Sequence, residues 1–377
     1  MAGHRQTQHR CKSRIRAGLL TVQRVLLSPR YRTWTWTLLL CLALLLFLLV
    51  CNIRTFIYVI RLQEWSIYRF ACWPSTSQRV DVTSSPDLFI SHGFHPTVGI
   101  GNLLFMYASL WGIARKNGLT PTISHIKLHD FMELELAPES FFDLNDCGNF
   151  VFGMETCCIY DASSEFITSV APGRNVSLWG YFQSWKYFHP EYQFAIRDQF
   201  RFKPNVVTQA NAIIDKAIAG SPTFELKTDY RSGNRSRSRT LVGIHIRRGD
   251  ILIPERVTFG HTVPTKAYYS HALDYLRAKQ VVDAVYIVCT NDAEWARANL
   301  QLPNMYLVED QQPEVDLAVL SMTDHLVLST GTFSFFIGYL SDAQTVIYYS
   351  RWPEPGSEFA AMTNLPDFWL PEWIALE

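Results

Sequence analysis

The chain has 377 residues, 48% apolar and 14% aromatic, which is enough for a sizeable core and for two domains. Its 34 basic and 34 acidic residues leave a formal net charge of zero. That balance excludes the strong one-signed field of a protein that holds nucleic acid or an acidic polymer.

The balance conceals an asymmetric start. Residues 1–32 carry Arg5, Arg10, Lys12, Arg14, Arg16, Arg24, Arg30 and Arg32 and no acidic residue. Residues 33–53 then run without a charge. At about 1.5 Å per residue such a stretch crosses a hydrocarbon core about 30 Å thick. Trp34 and Trp36 stand at one end, where indoles anchor at an interface. A cleaved signal peptide is the competing reading. The long basic tail, the full-length apolar run and the lack of a small-x-small cleavage site favour a signal anchor. The positive-inside rule keeps residues 1–32 cytoplasmic and exports the rest, as a single-pass type II membrane protein.

Residues 54–85 read as a stem, with Ser, Thr and Pro gathered near its end. A first globular unit is expected over 86–226. It opens with a strand at 87–90 and a glycine-containing turn. A helix over 102–116 follows, with Arg115 and Lys116 in its last turn and Gly118 just beyond. Strand, turn and helix place backbone N–H groups at a helix start, which makes Gly101 and Asn102 candidate anion contacts. A plain βα turn whose glycines merely fit the chain explains the pattern equally well. Cys147 lies close in sequence to Cys157 and Cys158, so a local disulfide is expected there. The odd cysteine count on the exported side leaves one thiol unpaired or paired between two copies, as in a homodimer. Asn175 and Asn234 begin N-glycosylation sequons.

Residues 227–239, KTDYRSGNRSRSR, read as a linker. From Thr240 to Glu377 strands and helices alternate. Strands are expected at 240–244, 284–289, 305–308, 326–329 and 345–349, the last being the final one. Helices are expected over 265–279 with Thr265 as cap, after Asn291 or Asp292, over 317–322 and over 333–340. That alternation implies a parallel, doubly wound sheet.

Three of its strand ends carry polar loops, and a parallel sheet puts them on one rim. The first is His245-Ile246-Arg247-Arg248-Gly249-Asp250, with His245 and Arg247 expected beyond the strand end. Arginine offers a rigid charged fork that matches phosphate oxygens. A solvated basic turn with an Arg–Asp ion pair is the bland alternative. The second loop is Thr290-Asn291-Asp292. The third, Ser329 to Ser334, puts Thr332, Phe333 and Ser334 at a helix start suited to a phosphate. Ordinary capping explains each loop alone; all three on one rim favour a nucleotide. There is no Walker A motif, and no Asp-x-Asp to hold a divalent metal. The aromatic run from Trp179 to Phe188 suits either sugar faces or a core.

Five ordered segments now resemble a known family. They are GIGNLLFMYASLWGIARKNG (99–118), WGYFQSWKYF (179–188), VGIHIRRGD (242–250), TNDAEW (290–295) and STGTFSFF (329–336), and they look like the motifs of the α-1,2-fucosyltransferases. The resemblance runs from about residue 87 to the C-terminus. Leu103 stands where many members have Gln, and 251–263 aligns with nothing familiar. The resemblance implies a GT-B-like α/β fold of two Rossmann-like domains behind an N-terminal transmembrane helix. It further implies GDP-fucose as donor, a β-galactoside acceptor, inversion at fucose C1, Golgi residence and no metal. On that reading 86–226 takes the acceptor and 240–377 the nucleotide sugar. Arg247 and Arg248 stabilise the leaving diphosphate, and Asn291 and Asp292 bond guanine or ribose. Asp250 and His245 either accept the acceptor's proton or orient the arginines, His245 more the latter. A protein O-fucosyltransferase-like enzyme and a non-catalytic lumenal lectin remain the alternatives.

Overall fold

The computed structural model describes residues 88–92, 98–123, 126–136, 150–154, 158–162, 175–221 and 239–377. Contacts divide the chain into Met1–Pro74 and Ser75–Glu377, and every described residue belongs to the second unit. The expected tail, membrane span, stem and most of the linker lie outside the described residues, as do Cys147, Cys157 and Asn234. Among the described residues no helix is long and apolar enough to cross a membrane.

The first half holds a four-stranded parallel sheet of β1 (Phe89–His92), β2 (Thr120–Thr122), β3 (Phe150–Met154) and β4 (Asn175–Trp179), in the order β2-β1-β4-β3. Between β1 and β2 runs α1 (Ile100–Asn117), which is buried from Ile100 to Ala114 apart from Asn102. A helix apolar on every side belongs inside a protein, not on its surface. It ends where Gly118 takes a left-handed conformation at φ 62°, which glycine adopts without strain. Helices α2 (Gln193–Gln199) and α3 (Pro204–Ala219) follow in the chain, and α3 packs against the sheet of the second half.

The second half is a six-stranded parallel sheet. Its strands are β5 (Leu241–Ile246), β6 (Val285–Thr290), β7 (Met305–Val308), β8 (His325–Val327), β9 (Thr345–Tyr349) and β10 (Ile374–Leu376). Their order is β10-β9-β8-β5-β6-β7, all parallel. The chain winds outward from β5 through β6 to β7, then restarts on the other side at β8. The topological switch point therefore lies between β5 and β8, where open α/β sheets bind their ligands.

The connecting helices are α4 (Pro254–Phe259), α5 (Lys266–Ala278), α6 (Ala293–Asn299), α7 (Pro313–Ser321) and α8 (Gly331–Leu340), with α9 (Glu358–Ala361) and α10 (Leu365–Phe368) near the end. Thr265 caps α5 as expected, accepting from the Tyr268 amide at 3.3 Å. Helix α7 starts four residues before the expected 317, because Pro313 at N1 fits a helix start. β10 is an additional strand that the sequence reading did not foresee.

Helices α1 and α8 lie side by side and join the two halves. Phe105 on α1 meets Phe335 and Phe336 on α8 at 4.6 and 4.9 Å between ring centroids. Each such pair adds about 0.5–1.5 kcal/mol beyond its area. The C-terminal residues return to the first half: Ser184 Oγ donates to the Asp367 carbonyl at 2.8 Å, and Lys186 pairs with the Asp367 carboxylate at 2.5 Å. Of the expected aromatic platform, Phe182, Tyr187 and Phe188 are buried core rings, and Trp185 Nε1 donates to the Trp369 carbonyl.

Candidate functional site

The three polar loops meet at the switch point. The Arg247 amide donates to Ser329 Oγ at 3.1 Å across the gap between β5 and β8. The Arg248 amide donates to Asn291 Oδ1 at 2.8 Å on the β6 side. These bonds weld the arginine loop to both neighbours.

The two arginines have different surroundings. Arg247 grips Asp250 with both teeth of its fork, Nε to Oδ1 at 3.2 Å and Nη2 to Oδ2 at 2.7 Å. Its third nitrogen, Nη1, reaches the start of α8, 3.2 Å from the place a Gly331 side chain would occupy. Gly331 stands at φ 83°, so glycine is required there both for backbone freedom and for room. Arg248 is turned inward. Its Nε donates to Asp292 Oδ2 at 3.2 Å, its guanidinium lies 4.4 Å over the Trp295 ring, and only 17% of the side chain is exposed.

Asp250 accepts from four directions: Arg247 twice, Asn291 Nδ2 at 3.2 Å, and Arg256 on α4. Burial alone would raise its carboxyl pKa. The bonds and charges of Arg247 and Arg256 outweigh that and hold it down at about 2. A carboxylate so firmly ionised and so fully engaged serves to orient its arginines rather than to collect a proton. Three guanidiniums against the carboxylates of Asp250 and Asp292 leave one net positive charge at the rim.

His245 corrects its expected place. It lies inside β5, not beyond it, and is buried. Burial, and then the nearby Arg247 charge, lower its pKa to about 3, so it is neutral. Ser334 Oγ donates to the Thr330 carbonyl at 3.2 Å and so receives from His245 Nδ1 at 2.8 Å. That assignment puts the ring proton on Nδ1. Tyr269 on α5 donates to the His245 carbonyl at 3.2 Å. His245 thus braces the β5–α8 junction and touches neither arginine side chain through a hydrogen bond among those seen.

Gly101 and Asn102 stand where the starts of α1 and α8 meet. A Cβ on Gly101 would sit 2.4 Å from the Phe333 amide nitrogen, so this glycine exists for the close approach of the two helix starts. Asn102 Oδ1 accepts from Thr332 Oγ1 at 2.7 Å and from Gln183 Nε2 at 3.1 Å. Thr332 and Ser334 are buried and engaged within the protein, and the Phe333 ring packs 5.3 Å from His245. Asn291 is used at both ends of its amide, and Asp292 caps α6 through the Trp295 amide at 3.1 Å while it holds Arg248.

The start of α8 is buried at the switch point, from Ser329 to Thr332. Thr330 makes no side-chain cap there, and its buried Oγ1 has no hydrogen-bond partner. The first-turn N–H groups of a helix lack intrahelical partners and carry a partial positive charge. With Arg247 Nη1 beside them, they suit a phosphate group.

The sequence reading missed Arg256, His261 and Asp316. Arg256 lies in the unaligned segment, six residues after the Asp250 it binds. His261 accepts from Trp352 Nε1 at 3.5 Å; burial, then Arg256 and Arg247, lower its pKa to about 4 against the pull of Asp250. Asp316 sits in the first turn of α7 beside the buried thiol of Cys289, which pairs in register with His245. Burial pushes its carboxyl up to about 6, with the Cys289 hydrogen bond opposing and Glu314 adding. The proline at the start of α7 was the signal that could have placed Asp316 on a helix.

The Glycosyl transferase family 11 model matches residues 166–377, and the chain belongs to that family. It is 28% identical over 364 residues to the galactoside alpha-(1,2)-fucosyltransferase 1 of Saimiri boliviensis boliviensis, covering 88% of this chain and 93% of that protein. The protein of the same name from Alouatta caraya is 29% identical over 322 residues, covering 81% of each. Among solved structures, POFUT1 in complex with GDP is loosely similar, with TM-score 0.42, 10% identity, and 70% of this chain and 98% of that one covered. A mutant of Arabidopsis thaliana FUT1 in complex with GDP gives TM-score 0.41, 11% identity, and 77% and 78% coverage.

Proposed function

We propose that this enzyme is an inverting glycosyltransferase that moves L-fucose from GDP-fucose to O2 of a terminal β-galactoside on glycans. Membership of glycosyl transferase family 11 and the names of the full-length relatives support the reaction. The observation that carries the chemistry is the free Nη1 edge of Arg247 beside the start of α8 at the switch point.

As the fucose C1–O bond breaks, negative charge grows on the departing diphosphate. Arg247 Nη1 and the first amides of α8 are fixed donors aimed at that charge, with no reorganisation required during the step. Asp250 holds Arg247 from behind, and Asn291 and Arg256 hold Asp250. The galactose O2 attacks from the opposite face and inverts the centre. Neither Asp250 nor His245 is suited to take its proton: the first is saturated with donors, and the second is buried and neutral. We read Arg248 as the anchor of the loop, not as a donor to the ligand.

The two parallel sheets, joined by α1 and α8, are read as a GT-B-like pair of Rossmann-like domains, the first on the acceptor side and the second holding the nucleotide sugar. Residues 33–53 are read as a Golgi signal anchor in membrane lipid, with the catalytic part lumenal. Sealed microsomes should then protect that part from added protease; its digestion would refute the topology.

The reading is tested by GDP release from GDP-fucose with and without lactose. Release should depend on the acceptor and persist in EDTA, since arginine and helix start supply the positive charge. Loss of activity in EDTA with rescue by Mn²⁺ would refute the arginine account. Absence of acceptor-dependent release would leave the lectin reading.

A further inference from the structure

A cavity of about 300 Å³ opens at the end of α8 that lies away from the arginine loop. Its wall includes Thr345 and Ile374, the first residues of β9 and β10. It therefore sits at the starts of the parallel strands, and the arginine loop sits at their ends. Gly338 also lines it, roughly 10 Å along the helix from Gly331. Gln193 and Arg197, one turn apart on α2, close it from the other side together with His189. Its volume stands at the small end of the range of about 300–1,000 Å³ typical of small-ligand sites.

The wall holds polar atoms that the protein leaves unused. Tyr339 is buried, and its hydroxyl has no hydrogen-bond partner within the protein. The His189 ring lies 5.9 Å from that of Tyr339, and its buried Nδ1 has no partner either. Buried polar atoms are nearly always paired, so two orphans on one wall call for a reason. Burial lowers the His189 pKa against the pull of Glu372, and burial raises that of Tyr339 against Arg197. Both are therefore neutral hydrogen-bonding groups near pH 7. Arg197 uses only Nη2, on the Leu340 and Ser341 carbonyls and the Asp342 carboxylate. Its Nε and Nη1 have no partner among the described residues, and Glu372 is exposed and forms no ion pair there. Trp373 supplies a ring held in place: a Cβ on Gly338 would lie 2.7 Å from it, and the Phe335 ring packs at 5.3 Å.

We infer that this cavity binds one neutral pyranose unit of a glycan, set against Trp373 and hydrogen-bonded by His189, Gln193, Arg197, Tyr339 and Glu372. A pyranose has a face of C–H groups and a belt of hydroxyls, each of which donates and accepts. The wall offers the counterpart of both. Trp373 is an aromatic surface, Arg197 a donor and Glu372 an acceptor, and the tyrosine hydroxyl and the glutamine amide do either. One guanidinium and one carboxylate balance, which favours neither a phosphate nor a lone ammonium. The volume admits a single ring. Its place on the opposite edge of the sheet makes it a second site, separate from the cleft that takes the donor.

The test is saturation-transfer NMR on the full-length chain in a polyoxyethylene detergent, with saturating GDP. The probes are the methyl β-glycosides of galactose, glucose, mannose and N-acetylglucosamine, with glycine as a zwitterion. At least one glycoside should bind with a Kd on the order of 1 mM, the scale of a few hydrogen bonds and one ring contact. In the double variant Gln193→Ala, Glu372→Ala that binding should weaken at least about tenfold, because two hydrogen bonds leave, one of them to a charge. The melting temperature and lactose-dependent GDP release should stay as in the wild type, so failure here leaves the transferase reading standing. Should the double variant not fold, Glu372→Ala alone is read by the same comparison. A wild type that binds no glycoside overturns the inference. So does glycoside binding of equal strength in the variant, which would belong to the catalytic cleft, and so does binding of glycine in place of every glycoside.

Discussion

Arg247→Lys should lower the transfer rate roughly 10²–10³-fold, the usual cost of one preorganised donor to developing charge, with only a modest fall in melting temperature because Arg256 and Asn291 still hold Asp250. Lysine keeps the charge but has no fork. It cannot hold both oxygens of Asp250, as Nε and Nη2 do at 3.2 and 2.7 Å, and still send a third nitrogen to the start of α8. The upward shift in melting temperature on adding GDP should shrink in this variant, because that shift reports binding to the folded state. Arg248→Lys should behave in the opposite way. It loses the 3.2 Å bond to Asp292 and the stack on Trp295, at a cost of about 1–3 kcal/mol, and its activity should fall only as far as the loop loosens. Near-normal rates and unchanged GDP shifts in both variants would refute the anion site.

Gly101→Ala should be strongly destabilising. The added methyl would lie 2.4 Å from the Phe333 nitrogen and 2.6 Å from Thr332 Oγ1, and the first of these is backbone that cannot swing aside. Either α1 or α8 must move, and the Phe105 cluster moves with it. Overpacking of this kind costs about 3 kcal/mol, a fall of roughly 6–10 °C in melting temperature. Thermal unfolding by circular dichroism measures it. A variant with the parental melting point but weakened GDP binding would show that Gly101 serves the ligand after all.

The second half was legible in the sequence wherever apolar runs and caps coincide. The strand at 305–308 and the Thr265 cap are as read, because both are local signals. His245 was misplaced for a physical reason. A polar residue after an apolar run looks like a strand end, but Ser334, eighty-nine positions away, satisfies its ring and lets the strand continue. The same blindness to distant contacts hid the reason for Gly101, whose missing side chain makes room for the Phe333 backbone. Arg256 was hidden in a segment without periodicity, and its partner is visible only once α4 folds back on Asp250. The arginine loop itself could be recognised, but the division of labour between Arg247 and Arg248 could not. Alternation gives no hint of which guanidinium turns toward Trp295.

The central claim is fucosyl transfer to galactose O2, and the linkage of the product tests it most directly. Incubation with GDP-fucose and a β-galactoside, followed by NMR of the isolated product, should show a single fucose α-linked to O2 of the galactose. Fucose on any other hydroxyl, or retained β configuration at C1, would contradict the account.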